Sequence, residues 1–89
     1  MLRLLTARKF EKDYEKLLRA GKDEEKIKRV IKKLLNGEPL EPRHGNHKLK
    51  GEYRDRWECH IEPDWLLIYK RTDQELILER TGSHSELYK

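Results

Sequence analysis

The chain is poor in the residues that usually stabilise a small protein. It has one cysteine, one phenylalanine and one methionine, and apolar residues fill only 35% of its 89 positions. A single cysteine forms no internal disulfide, which excludes a disulfide-stapled secreted scaffold. No apolar run is long enough for a signal-peptide core or a membrane helix, so a cytoplasmic protein without membrane contact is expected. Proline and glycine are sparse, and there is no repeat or low-complexity tract to mark a linker. At this length one domain is expected, with little interior to divide.

Charge, by contrast, is abundant: 43% of the residues are charged and the formal net charge is +4. A basic surplus favours a polyanionic partner, nucleic acid first, or an acidic protein that covers the basic face. The apolar residues that exist are gathered in periodic runs, which separates this chain from a disordered one.

Leu2 to Leu5 read as an edge strand. From Ala7, the residues Phe10, Tyr14, Leu17 and Leu18 recur at helical spacing up to Gly21. Asp23 then caps a second helix, whose stripe is Ile27, Val30, Ile31, Leu34 and Leu35 and which ends at Asn36-Gly37. The two helices are expected to pair as a hairpin with one joint apolar face. Residues 38–46 read as a loop, and 47–51 as a short strand. In the strand 54–61, Trp57, Cys59 and Ile61 share a core face while Arg56, Glu58 and His60 share a wet one. A tight turn at Glu62-Pro63 leads into 64–70, apolar on both faces and hence central. Glu75 to Thr81 form the last strand, and Ser83 with Glu86 makes a capping box for a terminal helix over 83–88. The predicted class is α+β, with helices against one face of a mainly antiparallel sheet.

Several polar side chains sit among these β-formers. His60 and Asp64 flank the turn and could share a substrate, the imidazole moving a proton and the carboxylate orienting it; the alternative is a surface histidine beside a turn-forming pair. Arg80, in phase with Leu76 and Leu78, is either paired, with Glu58 or Asp64, or free to hold a phosphate. His44, His47, Cys59 and His60 invite a zinc reading. Neighbouring Cys59 and His60 point to opposite faces of a strand, however, and no second pair has zinc-site spacing, so no metal is expected.

The order H-x-L-x-G (47–51), E-C-H-I-x-P-D-W-x-L-x-Y (58–69) and E-L-I-L-x-R-x-G-S-H-S-E-L-Y (75–88) resembles the YafQ-type branch of the RelE/ParE toxin superfamily. The resemblance implies a microbial-RNase-like fold and the toxin of a type II toxin–antitoxin pair, which cuts mRNA in the A site of the translating ribosome without a cofactor. It further implies a proteic antitoxin that silences the toxin in a hetero-oligomer and carries it to operator DNA. The family's catalytic positions fall on His47, His60, Asp64 and His84, its motif arginine on Arg80 and its terminal aromatic on Tyr88, with Lys48, Lys50 and Arg56 nearby to meet RNA. Trp57 stands where the family commonly has arginine, and Tyr88 where relatives often have phenylalanine. A ribose 2′-OH would supply the nucleophile, leaving the protein to provide a base, an acid and charge stabilisation. The rival readings are a ParE-like gyrase inhibitor, which has no use for these histidines, and a non-catalytic basic RNA-binding module.

Overall fold

The helices form where the periodicity places them. In the computed structural model, which describes residues 1–88, α1 spans Arg8–Arg19 and α2 spans Glu24–Leu35. Asp23 caps α2 by accepting a hydrogen bond from the Glu25 N–H at 3.0 Å. Neither helix, nor any other among the described residues, is long and apolar enough to cross a membrane.

Both helices lay their apolar stripes on one face of a five-stranded sheet: β1 (Arg3–Thr6), β2 (His47–Lys48), β3 (Trp57–Glu62), β4 (Trp65–Arg71) and β5 (Glu75–Gly82), in spatial order β1-β5-β4-β3-β2. Phe10, Ile27, Val30 and Leu34 meet Cys59, Ile61, Trp65, Leu67, Tyr69, Leu76 and Leu78 in the main core. Burial of apolar area there is the chief stabilising term. As its two-faced apolar pattern requires, β4 is the central strand. All pairings are antiparallel except β1 with β5, which run parallel.

The opposite face is not simply wet. Leu66 and Ile68 pack there with Leu87 of the terminal helix α3 (His84–Leu87), flanked by Leu49 and Tyr53, and Glu58 on the same face is buried. A short helix and a 3₁₀ turn (Gly51–Tyr53) fold back over the sheet and take this face from water. The expected strand over 54–61 starts only at Trp57, because Asp55 adopts a left-handed conformation (φ 70°) and turns the chain.

Two bulges re-aim side chains. At β3, Ile61 is the extra residue, which puts Glu62 opposite Trp65 on the helix side, within reach of Lys22 and Lys26. At β5, Glu79 is the extra residue, so Arg80 lies opposite Ile68 and is out of phase with Leu78. Where β1 leaves β5 after the Ala7 N–H bonds the Leu78 carbonyl, Asp13 of α1 takes over the strand edge. Its carboxylate accepts from the Thr81 N–H at 3.1 Å and from Arg80 Nε at 2.7 Å.

Asp13 thus satisfies a guanidinium and a backbone N–H together in a half-buried place. Asp13→Ala should destabilise the protein by about 2 kcal/mol, read as a lower urea midpoint at unchanged slope. The Ser83–Glu86 capping box forms as expected. The Ser83 N–H and then Lys16 pull the Glu86 carboxyl down from its ordinary value to about 2. Stability from that depressed group is fully present above about pH 4.5 and is lost as pH falls towards 2. Glu86→Gln should therefore cost about 1 kcal/mol at pH 7, with the gap to wild type closing between pH 5 and pH 2 in thermal melts.

Candidate active site

The face that α3 shares is where the chemistry-bearing side chains meet. Pairing of β2 with β3 sets His47 directly opposite Glu58, and His60 follows Glu58 by two residues on the same side of β3. Glu58 is the hub: only 4% exposed, it lies with Oε1 at 3.6 Å from His47 Nε2 and 3.5 Å from His60 Nε2, and its Oε2 accepts the Tyr88 hydroxyl. Strand alternation puts Glu58 on a wet face and leaves it open as a salt-bridge partner of Arg80, whereas the structure buries it and pairs Arg80 with Asp13. The signal in the sequence is a lone carboxylate two residues from one histidine on a strand whose neighbour carries another.

Both imidazoles are oriented from behind. His47 Nδ1 donates to the Gly45 carbonyl at 2.8 Å and His60 Nδ1 to the Pro63 carbonyl at 3.3 Å. A carbonyl only accepts, so Nδ1 carries the hydrogen in each ring, and Nε2 is left to take or give a proton in front of Glu58. Gly45 adopts the left-handed region at φ 49°, which L side chains rarely take, and packs against the His60 ring, a Cβ there standing 3.4 Å from His60 Cδ2. His44 plays a structural part, buried with Nδ1 donating to the His60 carbonyl at 2.6 Å.

Asp64 and His84 approach from the other end of the hairpin. The Asp64 carboxylate accepts from the His84 N–H at 3.0 Å, anchoring the first residue of α3, and both side chains are exposed. The His84 ring lies 5.1 Å from that of Tyr88, which in turn meets Tyr53 edge-on at 5.7 Å. Tyr88 thereby links His84 to Glu58. Burial and the Glu58 carboxylate push the Tyr88 phenol upward, so it stays a proton donor in this bond. Burial likewise raises the Cys59 thiol to about 12, which leaves it without a nucleophile's charge near neutrality.

The cations are brought together only in part. Arg80 lines a hollow of about 500 Å³ with Lys50, Tyr53 and Tyr88, but its charge is held by Asp13, a partner 67 residues away in sequence, and not by Glu58 or Asp64. Arg56 is paired with Glu79 at 3.3 Å. Lys48 lies opposite Trp57, and so on the helix side of the sheet, away from the histidines. Among the described residues no three His, Cys, Asp or Glu side chains have the spacing to hold a metal.

A family model described as the bacterial toxin of a type II toxin–antitoxin system, YafQ, matches residues 2–89. The mRNA interferase toxin YafQ of Escherichia coli strain K12 is 39% identical over 80 residues, covering 89% of this chain and 87% of that protein. Among solved structures, the E. coli DinJ-YafQ toxin–antitoxin complex has a chain with TM-score 0.92 and 35% identity, covering all of both chains. A copper-bound mutant toxin from Helicobacter pylori has TM-score 0.95 and 48% identity over 99% of this chain and 100% of that one. With a family model matched over nearly its whole length and these relatives beside it, the chain belongs to the YafQ family of bacterial toxins of type II toxin–antitoxin systems.

Proposed function

We propose that the chain is an mRNA endonuclease that works on the translating ribosome and cuts by attack of a ribose 2′-OH on the adjacent phosphate. The observation that carries this reading is the pair of oriented imidazoles, His47 and His60, each with Nε2 turned to the buried carboxylate of Glu58, which Tyr88 in turn links to the exposed His84. His60 takes the 2′-OH proton, His84 returns one to the leaving 5′ oxygen, and Asp64 positions His84 through its backbone N–H. His47, Lys50 and Arg80 meet the charge that grows on the phosphorane, and the half-exposed Tyr88 ring offers a surface for a base. No step calls for a metal: the nucleophile is the RNA's own, and histidines move both protons. E. coli YafQ is known in complex with DinJ, and we assign this chain a cognate antitoxin whose acidic segment covers the basic face and which brings the pair to operator DNA.

Ribosomes programmed with an mRNA that carries a 2′-O-methyl nucleotide 5′ to the cut should go uncleaved, and the unmodified message should yield a 2′,3′-cyclic or 3′ phosphate with a 5′-OH. A free 3′-OH upstream, or undiminished cutting of the modified message, rules out the 2′-OH mechanism. His60→Ala and His84→Ala should each lower the cleavage rate by about a hundredfold or more with little change in melting temperature, whereas Cys59→Ser should still cut. Primer extension on the programmed message, run beside thermal melts, measures both.

A further inference from the structure

On the other side of the His60 ring lies a cleft of about 700 Å³ that the roles above leave unused. Its walls include Lys26 and Arg29 of α2, Arg43 and His44 of the 3₁₀ turn Pro42–His44, and Gly45 beneath the His60 ring. The charge around it is unbalanced. Glu62 is covered by both Lys22 at 3.2 Å and Lys26 at 2.7 Å. Glu41 is shared between Lys33 at 3.6 Å and Arg43 at 3.4 Å. Arg29 has no carboxylate within 4 Å among the described residues, and both arginines are exposed.

An exposed pair such as Arg43–Glu41 is worth little in water, so its guanidinium can exchange a carboxylate for a phosphate. Arg29 can take one without giving anything up. His60 belongs to both places: its ring edge lines the cleft while its Nε2 faces Glu58. A polyanionic strand whose reacting phosphate lies at His60 therefore has a cationic trough immediately next to it.

We propose that this cleft binds phosphates of the substrate mRNA adjacent to the cut, with Arg29 and Arg43 as its anion-binding residues. The inference rests on the RNA-cleaving reading given above. The cleft positions the strand and takes no part in bond breaking. Its electrostatic contacts are to the backbone, so they hold any sequence alike and weaken with salt.

The test uses the whole protein and single-stranded RNA that is 2′-O-methylated throughout, so that binding is read by fluorescence anisotropy without cleavage. A trinucleotide reaches only the histidine cluster, whereas an oligonucleotide of about nine residues also spans the cleft. The double variant Arg29→Ala with Arg43→Ala should bind the longer RNA about tenfold more weakly, with a slope of log affinity against log salt shallower by roughly 1.4. It should bind the trinucleotide as wild type does and melt at the wild-type temperature. Equal affinity of variant and wild type for the longer RNA, or no binding of that RNA by wild type, overturns the proposal. So does a variant that loses only an acidic antitoxin peptide, which would give the surface to a protein partner. Programmed-ribosome cleavage by wild type is scored separately: cuts with unchanged oligonucleotide binding remove the cleft alone, while cleft-dependent binding without cuts removes the nuclease reading.

Discussion

A carboxylate taken out of water must be met by donors or left at a cost of about 1–3 kcal/mol, more when it is charged. Glu58 is met from three separate pieces of chain: Tyr88 just past α3 donates its hydroxyl, while His47 on β2 and His60 on its own strand hold Nε2 at 3.6 and 3.5 Å, where each ring pairs with the carboxylate once it is protonated. The short α3 has only Leu87 buried and is otherwise held by its capping box and by Asp64 at the His84 N–H, while β2 is held by its pairing with β3; the contacts to Glu58 add to both. The same carboxylate gathers the imidazoles, so that the arrangement around a buried charge also sets two Nε2 atoms close together on one face of the sheet.

The sheet carries its large apolar core on one face and gathers its histidines on the other. The helix side carries the large apolar cluster and tolerates Cys59 and Trp65 at full burial. Among the described residues the α3 side has Leu66, Ile68 and Leu87 in its buried cluster, joined by the hydrogen bonds of Asp64 and Tyr88 and by the Tyr53–Tyr88–His84 ring contacts. Asp13 joins the two sides, since from a helix on the first it fixes the guanidinium that looks into the hollow on the second.

Where local rules decide the structure, the sequence is readable. The stripe from Ile27 to Leu34, the Asp23 cap and the Ser83–Glu86 box depend on residues within a few positions of one another, and all form, while the hairpin turn falls at Pro63-Asp64, one residue beyond Glu62-Pro63. The role of Glu58 depends on a fold-back of α3 that no strand periodicity encodes. Arg80 is paired, as one reading of the sequence has it, but departs from its expected phase and partner for a related reason: one extra residue at Glu79 reverses its face, and its partner lies on the first helix. Lys48 and Arg56 look alike in sequence to Lys50, yet one faces the helices and the other is neutralised by Glu79. The family resemblance named the histidines, while the carboxylate that organises them emerged from the register.

The parallel pairing of β1 with β5 joins residues 72 positions apart, Arg3 with Glu75. A contact of that span carries a large loop-closure entropy, and the sheet cannot be completed until β5 has been made. During synthesis β1 and the two helices emerge well before β5, so the first strand waits for a partner 72 residues further along the chain, and His84 joins the histidine face only once β5 has led the chain into α3.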